Sequence, residues 1–241
     1  MKALILAAGM GKRLNLKIPK ILLKIENKSL PERHYENLLK FGVKKIAIVV
    51  GYKSNYLIKF IKKIDTENII TIFINSKYKE GSIVSLVSAN NFFHENGELI
   101  LMDGDVLYSR TILKKLINTK KKDTLLIDKN FESGEEPVKV CIKNNKIYDF
   151  GKNVDKNFDS QGESVGFFKF SKKTSIKLLS ESKKIMTKNR NAMYEDAIQK
   201  LIKEKKISME YENINNLPWI EIDFKKDLNV AKKNIIKKID E

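Results

Sequence analysis

The chain has 241 residues, 42% of them hydrophobic, which suits one α/β domain with a sizeable core better than two small domains. Its formal net charge of +17 points toward nucleic acid or anionic membranes, but the lysines are spread along the chain without interleaved aromatic residues, so we expect a solvated surface and no nucleic-acid partner. No stretch approaches the roughly 18 apolar residues of a membrane span. The single cysteine, Cys141, excludes an intramolecular disulfide and favours a cytoplasmic location.

The first half of the chain alternates apolar, β-branched runs with stretches of helical spacing. The runs predict strands at Ala3–Ala8, Lys45–Val50, Ile69–Asn75 and Glu98–Met102. The spacing predicts helices at Leu30–Phe41, Asn55–Ile64 and Ser82–Phe93, with Gly42 ending the first of them. Alternating strands and helices predict an α/β fold with a mostly parallel sheet that is covered by helices on both faces, and such sheets bind ligands beyond the carboxyl ends of their strands.

The second half has shorter strands and later helices. Strands are predicted at Thr124–Asp128, Lys139–Ile142, Lys146–Phe150, Glu163–Phe170 and Trp219–Asp223. Helices are predicted at Lys173–Ile185 and Tyr194–Glu204, with a C-terminal helix beginning near Lys225. Asn144-Asn145 suits a tight turn between two of these strands. Within one domain, 1–241, residues 1–120 are expected to form a nucleotide-binding half and residues 121–241 an acceptor-binding half.

The first predicted strand leads into a glycine-rich segment that suits phosphate binding. The segment is Leu6-Ala7-Ala8-Gly9-Met10-Gly11-Lys12-Arg13-Leu14, and Pro19-Lys20 follows it. A glycine turn lets backbone N–H groups approach phosphate oxygens closely, and Arg13 and Lys20 add positive charge. The glycines alone identify no class of protein, because the third glycine of the dinucleotide fingerprint and the Gly-Lys-Ser/Thr ending of a P-loop are both missing.

The wider pattern resembles the nucleoside-triphosphate transferase family, whose signature is Leu-Ala-Ala-Gly-x-Gly-x-Arg-Leu followed by Pro-Lys. Lys12 stands where Ser or Thr is common, and the short gap between Arg13 and Pro19 is similar to the inositol-phosphate cytidylyltransferase branch. Further matches lie at Val49–Tyr52, Gly104-Asp105, Val165–Phe167 and Trp219–Asp223. The resemblance implies a Rossmann-like three-layer α/β/α fold with a mixed, mostly parallel central sheet. It also implies nucleotide contacts from Leu6, Ala7, Ala8, Gly9, Gly11, Lys12 and Asp103, and catalytic roles for Arg13 and Lys20.

Carboxylates follow two distant predicted strands. Asp103-Gly104-Asp105 ends one, and Glu221 and Asp223 share one face of the other by period-two alternation. A carboxylate at the end of a buried strand is costly unless it is paired or bound to a metal, and hard oxygen ligands suit Mg²⁺. The resemblance assigns the metal to Asp105 and Asp223, with Asp103 and Glu221 as weaker candidates.

The implied reaction is attack by an anionic phosphate or phosphonate oxygen on the α-phosphorus of a nucleoside triphosphate, with release of pyrophosphate. Such a nucleophile needs no strong base, so catalysis consists of charge neutralisation and alignment. The resemblance adds Lys139, on a strand, as a catalytic candidate near the acceptor phosphate.

Two further segments bear on specificity. Gly81, Ser82 and Ser85 lie in a stretch that resembles the base-binding segment of cytidylyltransferases, which favours CTP over UTP. The acceptor candidates are Glu163 and the segment Tyr194-Glu195-Asp196, which resembles one in phosphocholine enzymes. An aromatic ring with a carboxylate suits a cationic head group, as in phosphocholine or aminoethylphosphonate, whereas inositol phosphate requires hydroxyl contacts.

Two other functions stay open at this stage. One is a sugar-1-phosphate uridylyl- or thymidylyltransferase, and the other is a non-catalytic regulatory protein that binds nucleotide. The favoured hypothesis is a cytoplasmic, monomeric or homodimeric Mg²⁺-dependent cytidylyltransferase that supplies precursors of cell-surface polysaccharide or phospholipid.

Overall fold

A computed structural model describes residues 1–15, 17–131, 137–155 and 157–239. The strands are β1 (Lys2–Ala7), β2 (Lys24–Ile25), β3 (Lys28–Ser29), β4 (Ile46–Val50), β5 (Ile70–Ile74), β6 (Leu99–Asp103), β7 (Val106–Tyr108), β8 (Thr124–Asp128), β9 (Lys139–Lys143), β10 (Lys146–Gly151), β11 (Ser160–Phe170), β12 (Glu210–Asn213) and β13 (Trp219–Glu221). The α-helices are α1 (Leu30–Lys40), α2 (Ser54–Ile64), α3 (Ser82–Ser88), α4 (Asn90–His94), α5 (Arg110–Asn118), α6 (Lys172–Lys188), α7 (Tyr194–Lys203) and α8 (Lys225–Val230). Short 3-10 turns lie at Lys12–Leu14 and Lys20–Leu22, and a π-helical turn at Ala231–Ile235 continues α8.

The central sheet has nine strands and runs through both halves of the chain. Its main order is β10-β9-β11-β6-β1-β4-β5, and β8 pairs with β11 and with β12. Strands β1, β4, β5 and β6 pair in parallel, as does β12 with β8, whereas β11 is antiparallel to β6, β8 and β9. Within the described sheet, β10 and β11 therefore run opposite to the other strands. The predicted Rossmann-like fold with a mixed, mostly parallel sheet is confirmed.

Helices cover both faces because the side chains of each strand alternate between them. In β1, Ala3, Ile5 and Ala7 pack into one core, whereas Leu4 packs into the other. The first core lies under α1, α2 and α5, and the second under α4, α6 and α7. Strands β1, β4 and β6 are thus buried on both faces, whereas β5 at the edge is partly exposed, and polar side chains meet at the carboxyl ends of these strands.

Local signals account for several element boundaries. Helix α1 begins with a capping box in which Ser29 N donates to Glu32 Oε2 at 2.7 Å, and its end is followed by Gly42 at φ 75°, as predicted. The turn between β9 and β10 places Asn144 and Asn145 at φ 50° and 59°, so the predicted tight turn is confirmed.

Some elements differ from the sequence-based prediction. The helix predicted at Ser82–Phe93 is divided into α3 and α4, which meet at Ala89. Strands β7 and β12 and helix α5 were not predicted, and β7 is the strand that pairs with β13. Among the described residues, no helix combines the length and the apolar character needed to cross a membrane.

Candidate active site

The glycine-rich segment turns sharply after β1 and brings Arg13 and Lys20 to the carboxyl end of the sheet. Gly11 adopts φ 57°, and a Cβ there would lie 2.9 Å from Cβ of Lys20. A side chain at residue 11 would therefore both strain the backbone and displace the lysine. The 3-10 turn that follows carries Arg13, whose Cζ lies 4.7 Å from the centre of the Phe224 ring.

Lys20 is 9% exposed and lies between two carboxylates from distant parts of the chain. Its Nζ is 2.5 Å from Oδ2 of Asp105 and 2.6 Å from Oδ1 of Asp223. Burial alone would lower the pKa of Lys20, but the two carboxylates outweigh burial and raise it above its ordinary value. Lys20 is therefore a fixed positive charge at this site.

A third carboxylate, that of Glu221, joins the same cluster. Carboxylate oxygens of Asp105, Glu221 and Asp223 all lie within 4.8 Å of one another. Burial, followed by the charges of Asp105 and Asp223, raises the pKa of Glu221 to about 8. Glu221 was only a weaker candidate from the sequence, and the structure places it beside the two predicted ligands.

Strand pairing explains how residues so far apart in the sequence meet. Strand β13 pairs antiparallel with β7, which follows Asp105 directly, and Ile222 N donates to the Asp105 carbonyl at 3.1 Å. Oδ2 of Asp227 then accepts hydrogen bonds from the backbone N–H groups of Asp223 at 3.0 Å and Phe224 at 2.7 Å. The start of α8 therefore holds the backbone of Asp223 in position.

A cavity of about 440 Å³ opens above this cluster. The predicted site residues that line it are Leu6, Ala8, Gly9, Arg13, Ser82, Ser85, Asp103, Asp105, Glu163, Tyr194, Glu195 and Asp223. The other predicted site residues do not line the described part of the cavity: they are Ala7, Gly11, Lys12, Lys20, Gly81, Lys139 and Asp196. Of these, Lys20 lies beneath the carboxylates, and Ala7 faces the core on the other side of the sheet.

The wall of the cavity away from Lys20 is acidic. Tyr194 is buried, and its hydroxyl donates to Oδ2 of Asp103 at 2.9 Å. Burial, and next the charge of Glu195, raises the pKa of Asp103 well above its usual range. Burial also raises the pKa of Glu195 to about 7, and burial with the nearby Asp128 raises that of Glu163 to about 7. All three carboxyl groups therefore hold their protons more readily than carboxyl groups in water do.

The predicted base-binding segment forms the start of α3. Gly81 N donates to the Arg190 carbonyl at 2.9 Å, and a Cβ on Gly81 would lie 1.9 Å from the Ala192 carbonyl oxygen. Only glycine fits there, so Gly81 supports the wall from behind, while Ser82 faces the cavity. Ser85 also lines the cavity, and its Oγ accepts from Asn75 Nδ2 at 2.9 Å.

The comparison with protein families agrees with this geometry. The model of the MobA-like NTP transferase domain matches residues 3–150, which include the glycine turn and Asp105. The chain belongs to the MobA-like NTP transferase family. The prediction that it is a nucleotidyltransferase is thereby confirmed.

Individual relatives of this NTP transferase match nearly the whole chain. It is 30% identical to the CTP:phosphoglutamine cytidylyltransferase of Campylobacter jejuni, across 95% of this chain and 98% of that protein. Its structure is similar to the inositol-1-phosphate CTP transferase from T. maritima, with a TM-score of 0.78, 22% identity and 97% of each chain covered. It is also similar to the CTP:phosphocholine cytidylyltransferase from Streptococcus pneumoniae, with a TM-score of 0.76, 21% identity and 96% and 97% of the two chains covered. At these identities the two structural likenesses concern the fold.

Two predicted acceptor-side residues of the transferase lie elsewhere. Oδ2 of Asp196 accepts from Met193 N at 2.8 Å, so this carboxylate caps the start of α7. Lys139 lies in a neighbouring cavity, where its Nζ donates to the Lys152 carbonyl at 3.1 Å. Lys152 lines both cavities and was not predicted.

Sequence reasoning also missed Phe224 and Asp227. In a capping box, an acidic residue stands three positions after the residue that precedes a helix. Phe224 and Asp227 have this spacing, which could have indicated the start of the helix. The contact between Phe224 and Arg13 joins residues from opposite ends of the chain, and nothing in the local sequence indicates it.

Proposed function

We propose that this protein is a Mg²⁺-dependent cytidylyltransferase that transfers CMP from CTP to a small phosphorylated or phosphonate acceptor and releases pyrophosphate. The observation that carries the proposal is the cluster of Lys20 with Asp105, Glu221 and Asp223 beside the glycine turn. The full-length similarity to a protein named CTP:phosphoglutamine cytidylyltransferase supports CTP as the donor. The sequence of the Gly81–Leu86 segment supports the same donor.

The carboxylate cluster fits a divalent metal by its chemistry. Three carboxylates offer hard oxygen ligands within 4.8 Å of one another, and one ammonium group, that of Lys20, lies between two of them. Two positive charges, those of Lys20 and of Arg13 (Nη1 3.9 Å from Oδ2 of Asp223), face the three carboxyl groups, so ionisation of Glu221 would leave one negative charge for a divalent cation to offset. Asp105 and Asp223 would hold Mg²⁺, with Glu221 as a further ligand. When bound, the ion would supply Lewis acidity toward a phosphoryl oxygen.

The side chains and backbone of the chain itself provide charge neutralisation and alignment. The acceptor oxygen forms a new bond to the α-phosphorus, the bond from that phosphorus to the β-phosphate oxygen breaks, and pyrophosphate leaves with the electron pair. Arg13 and Lys20 would neutralise the negative charge of the phosphates, and backbone N–H groups of the glycine turn would bind their oxygens. Stacking on Phe224 holds the guanidinium of Arg13 over the cavity.

The two predicted halves would then share the reaction. Residues 1–120 would bind the nucleotide, and residues 121–241 would bind the acceptor through Glu163, Tyr194 and Glu195. Asp223 belongs to the second half, yet it lies 2.6 Å from Lys20 of the first, so the second half would complete the nucleotide site.

The test is a pyrophosphate-release assay with CTP, UTP, dTTP, ATP and GTP in turn, each with phosphocholine, phosphoethanolamine, aminoethylphosphonate, phosphoserine, inositol phosphate or glucose 1-phosphate. We expect release with CTP and one of the first five acceptors, dependent on added Mg²⁺. Release with UTP or dTTP and the sugar phosphate would instead establish the alternative of a sugar-1-phosphate uridylyl- or thymidylyltransferase. Absence of release with every pair would refute the proposal.

A further inference from the structure

Strand β5 is the last strand at one end of the main sheet order, and no described strand covers its outer side. Its sequence is Ile-Thr-Ile-Phe-Ile, and within the described sheet it pairs with β4 alone. Proteins usually protect such an edge with lysine, with proline, with a bulge or with a covering segment. β5 contains no lysine or proline, its register with β4 has no shift, and Ile74 is 59% exposed. The edge is therefore open to pairing with another strand.

The backbone groups of β5 alternate between β4 and the open side. Ile46 N donates to the Ile69 carbonyl at 3.1 Å, and Asn75 N donates to the last residue of β4 at 2.8 Å. The odd-numbered residues from 69 to 75 therefore direct their backbone groups toward β4, and the even-numbered residues direct theirs outward. Oδ2 of Asp65 accepts from one outward group, Ile70 N, at 3.0 Å. The outward groups that remain are the Ile70 carbonyl and the N–H and carbonyl groups of Ile72 and Ile74. A further strand would satisfy them.

A second copy of β5 fits this edge in an antiparallel register centred on Ile72. In an antiparallel pair, residues that direct their backbone groups at each other exchange both N–H···O bonds. With Ile72 on a two-fold axis, each Ile72 lies opposite its counterpart and each Ile70 lies opposite the partner's Ile74. Every outward residue then meets another outward residue, and the isoleucine side chains pack in pairs on one face of the joined sheet. Ile70 and Ile72 already pack against the core beneath α1, α2 and α5, so Ile74 would lose its exposure by joining the same layer.

The charges at the two ends of β5 agree with an antiparallel pairing. Asp65 and Glu67 precede the strand, and residues 65–69 include no lysine or arginine. Lys77 and Lys79 follow the strand, and residues 75–79 include no carboxylate. Pairing about the centre of β5 therefore brings the acidic end of each copy beside the basic end of the other, whereas a parallel pairing would bring like charges together. This complementarity favours a second copy of the chain over an unrelated strand.

We propose that β5 is the interface of a homodimer, in which the edge strands of two copies pair antiparallel about Ile72 and the two sheets become one. The two-fold axis closes the assembly, because each copy uses its open edge once. Antiparallel pairing also points the carboxyl ends of the two parallel blocks in opposite directions. The two active-site cavities would therefore open at opposite edges of the joined sheet, and the interface does not depend on the proposed reaction.

Sedimentation velocity of the full chain tests the interface over about 1–200 μM, because small interfaces give dissociation constants in the micromolar range. We expect the wild-type chain to form dimers that dissociate on dilution. Ile74→Lys should weaken the dimer about 100-fold, because two ammonium groups would lose water at the interface. Its Tm at low concentration should stay within about 2 °C of the wild-type value, since the side chain is exposed in the single chain. The matched control is Tyr148→Lys, which changes a residue 43% exposed on β10, at the other end of the main sheet order, and should leave the dimer unchanged. A wild-type chain that stays monomeric at every concentration would overturn the inference, as would a dimer that Ile74→Lys leaves intact or an assembly that grows beyond two copies.

Cysteine cross-linking tests the register. The chain's own Cys141 is buried, so an introduced cysteine supplies the reactive thiol. In Ile72→Cys the two thiols would lie opposite each other, with Cα atoms about 5.5 Å apart, within the range of a disulfide. In Ile74→Cys the thiol would face the partner's Ile70, and its counterpart would lie about 13 Å further along the strand. We expect mild oxidation to produce a covalent dimer from Ile72→Cys and none from Ile74→Cys, although residue 74 is the more exposed of the two. Cross-linking of Ile74→Cys, or of neither variant, would refute this pairing.

Discussion

Lys20 holds two carboxylates together in the absence of a metal, and its replacement by methionine gives a quantitative test of that role. Methionine has a similar length and removes the ammonium group that lies 2.5 Å from Asp105 and 2.6 Å from Asp223. The variant would leave Asp105, Glu221 and Asp223 facing one another without this compensation. Two opposite effects follow: the folded state loses stability without divalent ions, and it gains more than the wild type when a divalent ion is added.

The size of the first effect follows from burial. Removing one partner of a fully buried ion pair costs about 3–5 kcal/mol. The side chains of Asp105 and Asp223 are 20% and 35% exposed, so water recovers part of that cost. We therefore expect Lys20→Met to lower the free energy of unfolding by about 2 kcal/mol, a value between those for buried and for surface ion pairs. For a chain of this size, that corresponds to a fall in Tm of about 4–8 °C.

The assay is thermal unfolding followed by fluorescence, in EDTA and in a series of Mn²⁺ and Mg²⁺ concentrations, without nucleotide. The control is Lys12→Met, which removes a nearby exposed lysine and should change Tm by about 1 °C or less, as is usual for surface substitutions. The metal-dependent rise in Tm should be larger for Lys20→Met than for the wild type. Pyrophosphate release by Lys20→Met should be lost even when the metal has restored its Tm.

Two results would contradict this reasoning. An unchanged Tm of Lys20→Met in EDTA would mean that the ion pairs contribute nothing to folding. An equal metal-induced rise in Tm for both proteins would mean that the lysine and the metal do not compete for the same carboxylates.

Three further predictions concern the same site. Asp105→Asn should abolish pyrophosphate release and reduce the metal-induced rise in Tm while leaving the circular dichroism spectrum intact; wild-type turnover by this variant would refute the metal assignment. Gly11→Ala should lower the free energy of unfolding by about 1–2 kcal/mol, because alanine at φ 57° is strained and its Cβ would displace Lys20; denaturant titration checks this, and an unchanged midpoint would contradict it. The pKa of Glu163 is raised to about 7 from 4.5. The contribution of this carboxyl group to the stability of the folded state is therefore complete below pH 4.5 and is lost as the pH rises through 7. Glu163→Gln should therefore reduce the fall in unfolding free energy between about pH 5 and pH 8, and an unaltered pH profile would exclude this carboxyl as its source.

The sequence was most informative about site residues that closely follow a predicted strand. The apolar runs predicted the strand before Asp105 and the strand before the glycine turn, whereas the roles of Arg13, Lys20 and Asp105 came from the resemblance to the transferase family. Since the carboxyl ends of parallel strands meet at one edge of the sheet, both strand ends were expected to lie at that edge, where ligands bind. Contacts between Lys20 and Asp105 follow from that arrangement.

Features that depend on pairing between distant segments could not be predicted in the same way. Glu221 joins Asp105 because β13 pairs with β7, a strand of three residues that the sequence-based prediction did not include. The position of Lys139 depends on the register of β9 against β11, and strand periodicity contains no information on register between strands. Asp196 shows a different ambiguity, because an acidic residue early in a helix suits capping as well as ligand binding.

The contact between Asp227 and the backbone of Asp223 has a consequence for the order in which the protein matures on the ribosome. Domains generally fold as units, so a domain completes its fold only when all of its elements have been synthesised. The glycine turn, Lys20 and Asp105 all emerge early, whereas Asp223 takes its place only after β13 has paired with β7 and Asp227 has closed the start of α8. A nascent chain that still lacks these residues would contain the sequence of all nine strands of the central sheet but an incomplete carboxylate cluster. Catalytic competence would thus be acquired only after β13 and the start of α8 have been synthesised, so chains that end before them would be inert rather than partly active.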